Sequence, residues 1–214
     1  MSDARLREDI CFWAKSLFDR GLTGGATGNI SARTEDGGLL VTPTGSSMAR
    51  LDPARLSLFD ARGVLIDGEP PTKEMPLHSA FYETRGGAGA IVHLHSTHSV
   101  ALSMLPDADP DDVLPPLTAY SVMKVGKVAL LPFFVPGDPA MADAVRGLAG
   151  RRSAILLANH GPVVAARELE AAVFAMEELE ETARLAILLR GTGAEPLKAA
   201  QVDAIVRKFD LEWE

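Results

Sequence analysis

Two histidines in Ile91-Val92-His93-Leu94-His95 stand at the spacing that a β-strand converts into a shared face, because strand side chains alternate and residues i and i+2 project together. Two imidazoles so placed can both reach one divalent ion, while Val92 and Leu94 pack on the opposite side. The same spacing suits two polar residues on an exposed strand, and the pair alone does not separate the readings. His160 favours the metal. The apolar run Ala154 to Ala158 ends in Asn159-His160-Gly161-Pro162, a strand-end turn of the kind whose side chains face clefts. Three neutral imidazoles with one open position make a catalytic zinc arrangement, whereas structural zinc sites usually close with cysteines. This chain has one cysteine, Cys11.

Glu74 precedes Pro76, a favoured first helical residue. Its carboxylate can complement a helix N-terminus, or it can stand beside the metal, binding it in the empty enzyme and shuttling protons once substrate displaces it. His78 and His98 fall in segments that read as helical, which suits structural or ligand-supporting roles.

The elements that must carry these groups follow from hydrophobic spacing. Ala4 to Arg20 reads as an amphipathic helix, followed by the glycine-rich loop Thr23 to Asn29 and short strands Ile30 to Arg33 and Leu39 to Thr42. Thr42 to Ser47 is a hydroxyl-rich loop, and Phe59 to Ile66 a strand pair turning at Ala61-Arg62-Gly63. A helix from Pro76 ends at Arg85-Gly86-Gly87. Strands are expected at Ala90 to Leu94, Val128 to Val135 and Ala154 to Ala158, and helices at Ser99 to Leu105, Ala140 to Leu148 and Glu168 to Arg190. Helices interspersed with short strands imply a mixed α/β layer architecture.

With 214 residues, 47% of them hydrophobic, the chain can fill one substantial core, and a single domain over residues 1–214 is expected. The net charge of −8, with no basic cluster to offset it, argues against nucleic acid or an anionic membrane as partner. The longest apolar run near the start, Ile10 to Ala14, is too short for a signal peptide or a span. Together with the single cysteine this points to the cytoplasm. An anionic substrate then needs a local trap of amides, lysine or metal.

With these residues in view, the chain resembles the class II aldolase/adducin-head family, through Gly28-Asn29-Ile30-Ser31-Ala32-Arg33, Thr42-Pro43-Thr44-Gly45, Lys73-Glu74, His93-Leu94-His95 and Asn159-His160-Gly161. Pro71-Thr72-Lys73-Glu74, His93 to Thr97, Tyr120 to Met123, Asn159 to Val164 and Glu177 to Ala183 look most like its 3-oxo-tetronate 4-phosphate decarboxylase branch. The resemblance implies a three-layer α/β/α fold around a mostly antiparallel central sheet and a homotetramer with active sites near subunit boundaries. It implies one Zn²⁺ per subunit, or another divalent metal, on His93, His95 and His160. Glu74 and Tyr120 would be the catalytic acid/base groups. Gly28, Asn29, Thr44, Gly45, Thr72 and Lys73 would cradle phosphate, although without the family the same glycines and threonines are ordinary turn residues and Tyr120 a half-buried packing residue.

The implied reaction is loss of CO₂ from a small phosphorylated keto-sugar acid, through a metal-stabilised enediolate, to dihydroxyacetone phosphate. The alternative is a class II aldolase of the fuculose-phosphate type, or an epimerase, acting on a sugar phosphate. Relatives that cleave sugar phosphates commonly carry two serines before the glutamate. Thr72-Lys73 here adds a charge, in keeping with a shorter and more anionic substrate, or with a lysine at a subunit boundary.

Overall fold

The computed structural model describes residues 3–213. The first helix, α1 (Asp3–Asp19), turns Leu6, Ile10, Ala14 and Leu17 inward at helical spacing. The strands β1 (Asn29–Arg33), β2 (Leu39–Val41), β3 (Ser57–Phe59) and β4 (Leu65–Asp67) form an antiparallel meander, followed by α2 (Met75–Thr84) and β5 (Ala90–His93). Next come α3 (Thr97–Ser103), α4 (Ala119–Lys124), β6 (Val128–Leu131), α5 (Pro139–Gly147), β7 (Ala154–Leu157), β8 (Gly161–Ala166), α6 (Leu169–Leu189) and α7 (Ala199–Phe209).

The strands join in one sheet of order β4-β3-β2-β1-β5-β8-β7-β6, in which only β6 and β7 run parallel. Alternation along the central strands divides the apolar side chains between two clusters. Ile30, Val92, Leu94, Leu156 and Val164 pack with α1, α3 and α6, whereas Ile91, Ile155, Val163 and Ala165 pack with α2 and α5. The result is the expected α/β/α layering around a mostly antiparallel sheet. No helix among the described residues is long and apolar enough to cross a membrane.

The departures from expectation have local causes. β6 stops at Leu131 rather than Val135 because Pro132 follows it with no N–H to give the ladder. β5 ends at His93, so His95 lies just beyond the strand. The central strand β8 was not anticipated, since Gly161-Pro162 at its start reads as a turn. The Pro162 carbonyl nevertheless accepts from Leu94 N at 3.2 Å and keeps the strand seated. Two further helices, α4 and α7, also fall in stretches that carried no element in the sequence reading.

For the site, the important register is that across β1, β5 and β8, where Asn29 stands opposite His93 and His93 opposite Val163. Asn29, Ser31 and His93 therefore face α2. A Cβ at Gly161 would lie 2.1 Å from the Leu94 carbonyl oxygen. Only glycine lets the β7–β8 turn come this close to the end of β5, which brings His160 against His93 and His95.

Candidate metal centre

Glu74, His93, His95 and His160 each offer a ligand atom, all within 4.8 Å of one another. Glu74 occupies the N-cap position of α2, but its side chain makes no capping bond. Its carboxylate turns to the imidazoles instead, with Oε2 3.3 Å from His93 Nε2 and Oε1 3.2 Å from His160 Nε2. His93 Nε2 and His160 Nε2 are 3.3 Å apart, and the His95 ring stands 5.0 Å from His93 and 4.7 Å from His160, centroid to centroid. His95 is the most exposed of the four, so solvent reaches the group from that side.

The donor chemistry fits a divalent metal. His93 Nδ1–H donates to the Pro162 carbonyl at 2.8 Å, which fixes the tautomer and turns the Nε2 lone pair into the cluster. With His160 in the same tautomer, two nitrogen lone pairs face each other and repel unless a cation lies between them. The edge of a tetrahedron of zinc ligands is about 3.3 Å for bonds of 2.0–2.1 Å, close to the three contacts given above. Glu74 Oε1 is buried with no donor aimed at it, an arrangement that costs free energy unless something charged or protonic meets it.

Burial pushes His93 and His95 away from their charged forms, His95 to about 4, with the neighbouring imidazoles acting in the same direction. Both are neutral near pH 7, as metal ligands must be. Burial pushes Glu74 the other way, but contact with His160 and His93 and a hydrogen bond from Asn29 outweigh it and hold the carboxyl well below its usual range. Glu74 is therefore an ionised carboxylate beside two neutral imidazoles, His93 and His95.

The six residues expected to cradle phosphate lie on three adjoining segments. Thr42 N donates to Ile30 O at 3.0 Å, Thr44 N to Pro70 O at 3.0 Å and Thr72 N to Thr42 O at 3.1 Å. These bonds bind the segments bearing Gly28-Asn29, Thr44-Gly45 and Thr72-Lys73 side by side. Gly28, at φ +80, would place a Cβ 3.0 Å from the His93 carbonyl oxygen, so its small size sets the loop against β5. Thr44, Gly45 and Lys73 are exposed. Among the described residues, no protein acceptor takes the Gly28 or Gly45 amide. Thr44 and Gly45, with Ser46, Ser47, Arg50 and Arg55, border a cleft of about 700 Å³. Asn29 differs from the expectation: its carboxamide is engaged inward by Glu74 and His78.

Residues 8–187 match the family described as the class II aldolase and adducin N-terminal domain. The chain belongs to that family. A 3-oxo-tetronate 4-phosphate decarboxylase of Cupriavidus necator is 44% identical over 216 residues, 99% of each chain. The crystal structure of YgbL from Escherichia coli superposes with a TM-score of 0.92 at 43% identity, covering 95% of this chain and 98% of that one. The L-fuculose phosphate aldolase of Haemophilus influenzae is 30% identical over 213 residues, 98% of this chain and 95% of its own.

In this class II aldolase domain Tyr120 is the second residue of a short helix. It sits on α4, 62% exposed, and α4 packs on α6 and α7. Two supporting groups, the Pro162 carbonyl and Glu180, and the partners of a third, His78, escaped the sequence reading. The Pro162 carbonyl carries no side-chain signal. His78 was noted, but its partners Ser31 and Asn29 come from β1, more than forty residues away. Glu180 on α6 accepts from His98 N and Nδ1 and from Ser99 N and Oγ, at 2.6–2.9 Å. It thereby caps α3 just after His95, although the acidic run in which it lies reads as a solvated face.

Proposed function

We propose that this chain catalyses decarboxylation of a 3-oxo-tetronate 4-phosphate to dihydroxyacetone phosphate and CO₂, with Zn²⁺ on His93, His95 and His160. The observation that carries the reading is the buried carboxylate among three imidazoles, in a chain 44% identical over 99% of its length to a decarboxylase of that name. A cation held there would supply Lewis-acid stabilisation for the negative charge that develops on the substrate's C3 oxygen.

The chain's own groups do the rest. The open amides of Gly28 and Gly45, the hydroxyls of Thr44 and Thr72 and the Lys73 ammonium hold the phosphate, and offset the repulsion of a protein of net charge −8. Asn29 contributes its backbone, its carboxamide being engaged by Glu74 and His78. As the bond from C2 to the carboxylate breaks, its electron pair stays at C2 and is shared with the C3 carbonyl. A proton delivered to C2 completes dihydroxyacetone phosphate. Glu74, ionised at rest, takes that proton from solvent water on Oε1 and delivers it to C2. Tyr120, exposed on α4, serves as a second donor toward the site of a neighbouring copy in a homotetramer. The enzyme acts in the cytoplasm in this reading.

An aldolase of the fuculose-phosphate type places the same charge on a carbon next to a carbonyl, and the 30% identity to such an enzyme keeps that reading in play. Metal content tests the site common to both. A strong chelator should abolish turnover and Zn²⁺ should restore it, while His160→Ala should lower both zinc content and activity. Full zinc and full activity in His160→Ala would refute the three-histidine site.

A further inference from the structure

Behind Glu74 a row of buried polar groups runs between α2 and β1. Tyr82 Oη lies 2.9 Å from Ser31 Oγ, Ser31 Oγ 2.7 Å from His78 Nδ1, His78 Nε2 2.5 Å from Asn29 Oδ1, and Asn29 Nδ2 2.6 Å from Glu74 Oε2. Ser31 and His78 are wholly buried, and Asn29, Tyr82 and Glu74 nearly so. At such depth each polar atom needs a partner of the right kind, and this settles every donor in the row.

A carboxylate only accepts, so Asn29 presents N–H to Glu74 and its carbonyl oxygen to His78. His78 must then donate from Nε2. Burial pulls this ring down to about 3, so it is neutral near pH 7 and Nδ1 has a free lone pair. Ser31 O–H fills that lone pair, which leaves Ser31 Oγ to accept from the Tyr82 hydroxyl. The Tyr82 ring is itself held under the Arg33 guanidinium at 4.5 Å. All four bonds point toward Glu74.

We propose that this row is a positioning device for the acid/base group: His78, as its Nε2–H tautomer, orients Asn29, which clamps Glu74 Oε2 and reserves Oε1 for the proton exchanged with substrate. The proposal rests on the reading of Glu74 as the acid/base residue. It makes Asn29 the clamp on the carboxylate, and it gives β1 a role in proton transfer as well as in phosphate binding. If the Ser31 hydroxyl is lost, Nδ1 has no fixed donor. The ring can then take its proton there, Asn29 can flip, and its carbonyl oxygen then opposes the carboxylate.

The test uses zinc-loaded protein labelled with ¹⁵N-histidine, with the His78 signals identified by their absence in His78→Gln. The ring should carry its proton on Nε2 in the native protein and partly on Nδ1 in Ser31→Ala. Turnover of the tetronate phosphate by Ser31→Ala should fall in kcat by about tenfold or more, with KM and zinc content close to native. In case Ser31→Ala folds poorly, His78→Gln, which keeps an acceptor and an N–H, should retain clearly more kcat than His78→Leu. A native proton on Nδ1 would overturn the proposal, as would unchanged kcat in Ser31→Ala or a loss confined to KM or zinc. Glu74→Gln measured in parallel separates the layers: full activity there removes the acid/base reading, and the clamp's purpose with it, whatever the His78 ring shows.

Discussion

Glu74 works with its two oxygens in different surroundings. Oε2 is tied to Asn29, while Oε1 faces His160 Nε2 with no donor aimed at it. Replacing the carboxylate by an amide of the same shape should leave the fold intact and slow turnover by about 10²–10⁴, the usual size of a general acid–base contribution. Steady-state kinetics of Glu74→Gln beside its melting curve would check this, and a rate within a factor of about three of native would contradict it. His78 makes a prediction of its own. Its folded value, about 3, lies below the ordinary histidine range near 6.5, so between these values the unfolded chain binds more protons. The stability from keeping His78 neutral is complete above about pH 6.5 and is lost as pH falls toward 3. Buried His93 and His95 act in the same sense. Urea midpoints of the metal-free protein should therefore drop from pH 7 to pH 5, with a smaller drop in His78→Gln.

At the scale of elements, the site depends on close approaches that particular residues permit. Gly161→Ala would drive a Cβ to 2.1 Å from the Leu94 carbonyl. We expect it to cost about 1–3 kcal/mol, as overpacking does, and to lower metal affinity by moving His160 from His93. Glu180→Ala should remove the cap of α3 and four hydrogen bonds, at a cost of about 1–3 kcal/mol. Equilibrium unfolding with and without zinc would register both. Much of this scale was legible in the sequence: α1, α2, α5, α6 and most strands follow from apolar spacing, and strand alternation pointed to the histidine pair, although His95 falls just past the end of β5. What was not legible is what depends on tertiary contact. β8 hides behind Gly161-Pro162, α4 and α7 carry only short or weak periodicity, and the clamp on Glu74 exists only because β1 pairs with β5 in a register that sets Asn29 beside His93.

Across the whole molecule, the four metal-facing residues come from the start of α2, the end of β5 and the β7–β8 turn, segments separated by up to 86 positions, from 74 to 160. A cation bound there staples both halves of the sheet. By mass action it adds about 4 kcal/mol when free metal exceeds its dissociation constant a thousandfold. Chelation should therefore lower Tm by roughly 8–16 °C at the usual 2–4 °C per kcal/mol for a chain of this size, and zinc should restore it. The acidic surface has a related consequence. With a net charge of −8, long-range attraction of an anionic substrate is absent, so capture depends on the loops around Thr44 and Lys73. Lys73→Gln should raise KM more than it lowers kcat.

The most direct test of the central claim is product analysis. The zinc-loaded protein would be given 3-oxo-tetronate 4-phosphate labelled with ¹³C in the carboxylate, as both C2 epimers, and labelled CO₂ and dihydroxyacetone phosphate followed together. The account predicts that the two appear one for one and that a chelator abolishes both. No turnover of either epimer, together with aldehyde release from a longer sugar phosphate such as fuculose 1-phosphate, would contradict it and make the enzyme an aldolase.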